Sequence, residues 1–219
     1  MRGVWLLLAI LLVSACQHTR PRVRLRSAYL KSLESPQKPT VVTQGATKFD
    51  REKMLEFADG LVGQSRVSID KKTYRADCSG FVRGVYEQAG LSFGGGEGKE
   101  NDTTTIYRFV MEHGRVSMKD PQPGDLVFFD NTYDKNGDGK MNDQLTHVGI
   151  VDKILKNGTV VFIHFYGKTI IRSRMNLDYP HLEYLPGTKE RLNHMLRRKD
   201  RKSRGLLAAE VFAGFGKLS

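Results

Sequence analysis

The strongest constraint on the fold is a change of hydrophobic period near residue 120. Before that point apolar residues recur at helical spacing, and after it they alternate or run continuously over short stretches. A helix is predicted from about Asp50, a good N-cap, with Leu55, Ala58, Leu61 and Val62 on one face and Gly63 as its stop. A second begins at or beside Cys78, where Phe81, Val82, Val85, Tyr86 and Ala89 recur before Gly90. A third fits Asp102 to His113, with Ile106, Phe109 and Val110 inward and Gly114 closing it. P-Q-P-G-D (121–125) then turns the chain, and four strands follow: L-V-F-F (126–129), H-V-G-I-V (147–151), T-V-V-F-I-H-F (159–165) and K-T-I-I-R-S-R (168–174). Asn157-Gly158 and Tyr166-Gly167 sit where hairpin turns are needed. Helices first and strands afterwards imply an α+β fold, N-terminal helices packed on an antiparallel β-sheet. Past Pro186-Gly187 the pattern T-K-E-R-L-N-H-M-L-R-R-K-D-R-K-S-R is helical again. Residues 186–219 are therefore expected as a basic helical C-terminal extension to a domain over 46–185.

The first fifteen residues, MRGVWLLLAILLVSA, place one Arg before an apolar run too short to cross a bilayer comfortably, the layout of a secretory signal peptide. The run ends V-S-A-C, which resembles the lipobox of bacterial lipoproteins. That resemblance implies lipidation at Cys16 and makes residues 16–45 a lipidated basic tether, a mixture of Pro, Ser, Gln and Arg without sustained period. Gln17 resembles the sorting residue of outer-membrane lipoproteins. The expected location is the cell envelope, lipid-anchored at the outer membrane and facing the periplasm. The net charge of +11 sits in the flanks: residues 16–45 carry six Lys/Arg against Glu34, and residues 186–219 carry nine against three acids. The nearly neutral centre is the reverse of a nucleic-acid reader, so no nucleic-acid partner is expected. The chain is expected to be a monomer.

With Cys16 assigned to lipid, Cys78 is the second of only two cysteines and has no disulfide partner. In an oxidising compartment such a thiol is either a buried apolar filler or a nucleophile. At a helix start, unpaired N–H groups and the dipole favour negative charge on sulfur, so the thiol pKa is expected to fall, and more so beside an imidazole. Small Ser79 and Gly80 leave room for a substrate. Of six histidines, His18, His113, His181 and His194 fall in the tether, at a helix end or in polar segments, whereas His147 and His164 lie in apolar strands. One imidazole of that pair can take the thiol proton while the other sets the first ring's tautomer.

D-C-S-G-F-V (77–82), P-G-D-L-V-F-F (123–129), H-V-G-I-V (147–151) and F-I-H (162–164), in that order, resemble the NlpC/P60 cysteine peptidases. The resemblance implies a papain-like fold with Cys78 as nucleophile, His147 as general base and His164 as the polar residue that orients the base. It implies hydrolysis of amide bonds in peptidoglycan peptides, with no cofactor required for catalysis. Asp77 and Ser79 match positions that bind a substrate amine in relatives acting on free stem peptides; helix capping is the alternative. Tyr74 lies too close to Cys78 to stand for the tyrosine such relatives carry before the nucleophile. On the same fold an amidase of the CHAP type or an acyltransferase is the competing reaction, and a non-catalytic envelope lipoprotein that binds wall peptides is the competing role.

Relatives commonly have a shorter connection before the first histidine, where this chain inserts N-T-Y-D-K-N-G-D-G-K-M-N-D-Q-L-T. Asp134, Asn136 and Asp138, then Gly139, copy the first half of an EF-hand loop, and Lys140 can offer its carbonyl. Position twelve is Leu145 in place of the bidentate Glu. A structural calcium and an Asx-rich surface turn are the two readings of that loop.

Overall fold

Asp50 caps the first helix, α1 (Arg51–Gly60), its carboxylate accepting the Lys53 N–H at 3.0 Å. The structure is a computed structural model that describes residues 49–69, 72–94, 102–199 and 204–218. The signal segment, Cys16 and the 16–45 tether lie outside the described residues. Met54 and Ala58 are the buried residues of α1, and Leu55 is only half-buried, so the inward stripe is turned from the one expected. Helices α2 (Cys78–Gln88) and α3 (Asp102–His113) occupy their expected spans. Among the described residues no helix is long and apolar enough to cross a membrane.

Six strands form the main sheet: β3 (Arg115–Ser117), β4 (Leu126–Phe129), β5 (His147–Ile154), β6 (Val160–Tyr166), β7 (Thr169–Met175) and β10 (Phe212–Lys217). Their order is β3-β10-β4-β5-β6-β7, and every neighbouring pair is antiparallel. A hairpin of β1 (Ser68–Ile69) with β2 (Lys72–Thr73) and a ladder of β8 (Met195–Arg197) with β9 (Leu206–Leu207) complete the strands. Phe81, Val82 and Val85 of α2 are wholly buried where the helix meets β5 and β6, each removal from water stabilising by about 1.5–3 kcal/mol. The other face carries Phe129, Val151, Phe162 and Met175, covered by Leu196, Leu206, Ala208 and Val211 of the C-terminal segment. The α+β expectation therefore holds, helices preceding an antiparallel sheet.

The expected helical C-terminal extension is not there. Residues 188–199 are extended or turn-like, and β10 is inserted between β3 and β4, so the sheet is incomplete without the end of the chain. Good helix formers lose here to tertiary partners. Asn193 is fully buried, gives its amide to the Tyr179 and Leu182 carbonyls at 2.9 and 2.8 Å, and accepts the Asn176 N–H at 2.8 Å. His194 exchanges two bonds with the Arg174 backbone, its N–H giving to the Arg174 carbonyl at 3.0 Å and its Nδ1 taking the Arg174 N–H at 2.9 Å.

Asp125 of the P-G-D turn locks the last strand in place. Its carboxylate, 2% exposed, meets Arg51 at 3.0 Å and Lys217 at 3.1 Å and accepts the Gln122 N–H at 2.8 Å. Arg51 also reaches the Leu218 carbonyl at 2.6 Å, so one acid joins α1, the turn and β10. Phe215, wholly buried in β10, fixes the strand from its apolar side. Phe215→Ala is expected to cost about 3–5 kcal/mol in chemical denaturation. Met141→Ala, at an exposed position, is expected to stay within about 0.5 kcal/mol of the parent.

Candidate active site

Cys78 is the first residue of α2, and Asp77 is its N-cap. The Asp77 Oδ1 accepts the Gly80 N–H and the Ser79 hydroxyl, both at 2.8 Å, and Oδ2 pairs with Arg75 at 2.6 Å. Both oxygens of Asp77 are thus engaged in building the helix start, and the capping interaction that D-C-S-G admits is made. Gly80 is required there by proximity: a Cβ would lie 2.1 Å from the Arg75 carbonyl oxygen, where the preceding segment folds over the first turn. Cys78 is a free, half-buried thiol, with Thr103 Oγ1 at 4.0 Å from its sulfur.

The histidines come from β5 and β6. His147 pairs with Phe129 across β4–β5, and continuing the register of Ile150 against Ile163 brings Gly149 beside His164. A Cβ on Gly149 would come within 3.1 Å of the His164 Cβ and 2.9 Å of the Ile163 carbonyl, so the glycine makes space for the second ring. The rings then meet diagonally, His147 Nε2 to His164 Nδ1 at 2.7 Å, and the chain continues from His164 Nε2 to the Ser173 hydroxyl at 2.9 Å. All three residues are buried.

This chain of bonds selects a tautomer. If Nδ1 of His147 is to receive a proton, Nε2 carries the hydrogen and donates to Nδ1 of His164. His164 then carries its own hydrogen on Nε2 and donates to Ser173. Ser173 was not foreseen from the sequence; its only signal is a polar residue at an inward position of K-T-I-I-R-S-R.

Burial governs the electrostatics. It pushes the Cys78 thiol up to about 11, helped by the charge of Asp77 and opposed by N–H and hydroxyl contacts from Val148, Thr103 and Ser79. It pushes His147 down to about 4, with Asp77 acting the other way, and holds His164 well below the usual range, where the neighbouring His147 and His194 add to the effect. The expected lowering of the thiol at the helix start is therefore reversed in the free protein. Desolvation outweighs the first-turn N–H groups, and thiol and imidazole each rest neutral.

A cleft of about 540 Å³ opens on Cys78 and His147. Tyr133 of the inserted loop and Phe165 and Tyr166 at the end of β6 line it, although the sequence marks Tyr166 only as a turn residue. Tyr166 lies edge-on to His147, centroids 6.4 Å apart. Tyr74 is not among the lining residues; its ring sits under Lys72, 4.7 Å from the ammonium. In the inserted loop, Asp134 accepts the N–H groups of Gly137 and Gly139 at 2.8 and 2.9 Å, Asn136 that of Asp138 at 2.9 Å, and Asp138 that of Lys140 at 2.8 Å. The Asn136 and Asp138 bonds, each to the N–H two residues on, are Asx turns, and among the described residues no three His, Cys, Asp or Glu side chains gather as a metal site.

Two comparisons bear on this geometry. Residues 63–187 match the model of the NlpC/P60 family. Over 97 residues the chain is 40% identical to the peptidoglycan DL-endopeptidase CwlO of Bacillus licheniformis, which covers 44% of this chain and 17% of that protein.

Two outcomes test the buried pair. Because folding depresses the pKa of His147 below its unfolded value near ~6.5, its contribution to stability is complete above that pH and is lost as pH falls through about 4. Thermal unfolding between pH 7 and 4 is expected to show the parent losing on the order of 3 kcal/mol more than His147→Gln. Ser173→Ala removes the acceptor of the His164 Nε2–H, so a loss of about 1–3 kcal/mol is expected. Nitrogen-15 shifts of the imidazole should then show His164 leaving the Nε2–H tautomer, with Ser173→Thr restoring it.

Proposed function

The chain belongs to the NlpC/P60 family, and we propose that it is a cysteine peptidase that cuts amide bonds in peptidoglycan peptides. The observation that carries the reading is a histidine pair, hydrogen-bonded and oriented by Ser173, whose His147 lines one cleft with a free thiol at a helix start. The likeness to a peptidoglycan DL-endopeptidase supports the substrate class.

The neutral resting pair sets the order of events. Nε2 of His147 is occupied by His164, so Nδ1 receives the thiol proton as Sγ attacks the amide carbonyl carbon. The two charges form next to each other in a dry site, where their attraction is strong, and only when a carbonyl is there to be attacked. The Cys78 backbone N–H, at the first turn of α2, serves the developing oxyanion. Collapse breaks the C–N bond, and the leaving amine takes the proton from His147. Water then attacks the thioester while His147 accepts its proton, and the proton returns to sulfur as the acid leaves. His164 and Ser173 keep the imidazole turned for both transfers. The V-S-A-C ending of the first apolar segment supports, as part of the same proposal, an envelope location anchored through Cys16.

Purified peptidoglycan digested by the parent is expected to release soluble peptides whose new termini, read by mass spectrometry, mark a peptide bond. An amidase or an acyltransferase would leave different ends. Cys78→Ala and His147→Ala are each expected to lower the rate by at least ~10³-fold, Cys78→Ala with an unfolding curve near the parent's. Digestion by Cys78→Ala at the parent rate would overturn the reading.

A further inference from the structure

Part of the cleft wall comes from outside residues 63–187: Leu196, Arg197, Arg198 and Lys199 line it beside Tyr166. Arg197 ends β8, opposite Leu206 in the β8–β9 ladder, and is only 6% exposed. Its Nη1 donates to the Asn131 carbonyl at 3.1 Å. A guanidinium has five N–H donors, and among the described residues its acceptor is that neutral carbonyl, with no carboxylate against the charge. Three half-buried arginines are paired with carboxylates: Arg51 with Asp125, Arg172 with Asp152 and Arg191 with Glu183. Among the described residues Arg197 forms no such ion pair.

Among the described residues the cleft supplies no acid of its own to meet it. Asp77 and Asp134 are the carboxylates among the lining residues, and both are occupied, Asp77 by Arg75, Ser79 and Gly80 and Asp134 by two N–H groups of its own loop. Arg198 adds a second cation over the Tyr166 ring, 5.5 Å from its centroid, and Lys199 a third. The positive ledge therefore runs up to the aromatic residue that abuts His147.

We propose that Arg197 anchors a free carboxylate of the bound peptide next to the scissile amide, with Arg198 and Lys199 adding to the attraction. The substrate class is then an acidic peptide, and a peptide amidated at that carboxylate is disfavoured. A planar fork matches a carboxylate bidentately, which suits a fixed, buried arginine better than a lysine. The proposal rests on the peptidase reading for its kinetics but not for its binding.

The test uses L-alanyl-γ-D-glutamyl-diaminopimelate and the same tripeptide with each free carboxylate converted, one at a time, to carboxamide. For the parent, one amidation is expected to lower kcat/KM by about 10- to 100-fold. Arg197→Gln is expected to lose about the same factor on the acid and to cut that amide as the parent does, so the preference falls to about twofold or less. Arg197→Lys, which keeps the charge but not the fork, is expected in between, and it carries the test if the Gln variant does not fold. A parent indifferent to every amidation, or a variant that loses activity on all peptides with the parent's ratio intact, overturns the proposal; the latter is what a merely structural arginine would give. If the parent cuts none of these peptides, the peptidase reading is what fails on them. Calorimetry with Cys78→Ala then decides the anchor: tighter binding of the acid, abolished by adding Arg197→Gln, supports it, and equal affinities overturn it.

Discussion

Pairing Ile150 with Ile163 and Phe162 with Ser173 sets His147, His164 and Ser173 on one diagonal of the sheet, and a slip of one residue in either ladder would turn a member to the opposite face. The 2.7 and 2.9 Å bonds along that diagonal exist only because both registers hold. Register is specified in turn by burial on both sides. Phe128, Val148, Ile150 and Ile163 fill one face, Phe129, Val151 and Phe162 the other, and none tolerates the exchange of faces that a slip brings. Gly149 is the concession made to this arrangement, a missing side chain where the second imidazole needs the room.

A sheet face that carries two histidines must still be covered, and the cover is the C-terminal segment. Leu196, Leu206, Ala208 and Val211 close over Phe129 and Phe162, and the Tyr166 hydroxyl donates to the Leu196 carbonyl at 3.3 Å. The depressed imidazoles follow from that cover: with water excluded, a charge on either ring is unfavourable, and the pair stays neutral and able to accept a proton. The last strand depends on Asp125, whose two cationic partners come from opposite ends of the described chain. The P-G-D turn, read from the sequence as a simple reversal, is thereby the joint that holds the cover to the rest of the domain.

The helices and the first four long strands were legible because each buries its apolar residues in a regular local period. Cys78, His147 and His164 were legible for a different reason: they are chemically unusual residues set inside such periods. What escaped has no local signal. Residues 188–199 are rich in helix formers, and bonds of Asn193 and His194 to groups more than ten positions away override that tendency. F-A-G-F-G-K spends two of its six positions on glycine, which reads as turn, yet Gly216 is where a Cβ would press within 2.8 Å of the Phe128 ring. The thiol was misjudged because helix position is visible in sequence and desolvation is not. Ser173 and Arg197 are ordinary residues whose roles arise from what the fold puts beside them.

The cleft is thus assembled from two stretches with separate tasks. Residues 63–187 hold the thiol and the histidines, and the stretch that follows supplies the cover and the cations. On the proposed reading, bond breaking belongs to the first stretch and choice of peptide to the second, a division that lets one scaffold change substrate by altering a wall. The two tasks are not independent here. Arg197 and Leu196 are adjacent residues of one short strand, one facing the proposed carboxylate and the other sealing the histidine face. A substrate that engages the guanidinium bears on the same strand that keeps the imidazoles dry. Recognition of charge and the cover of the histidine face therefore share a mechanical element.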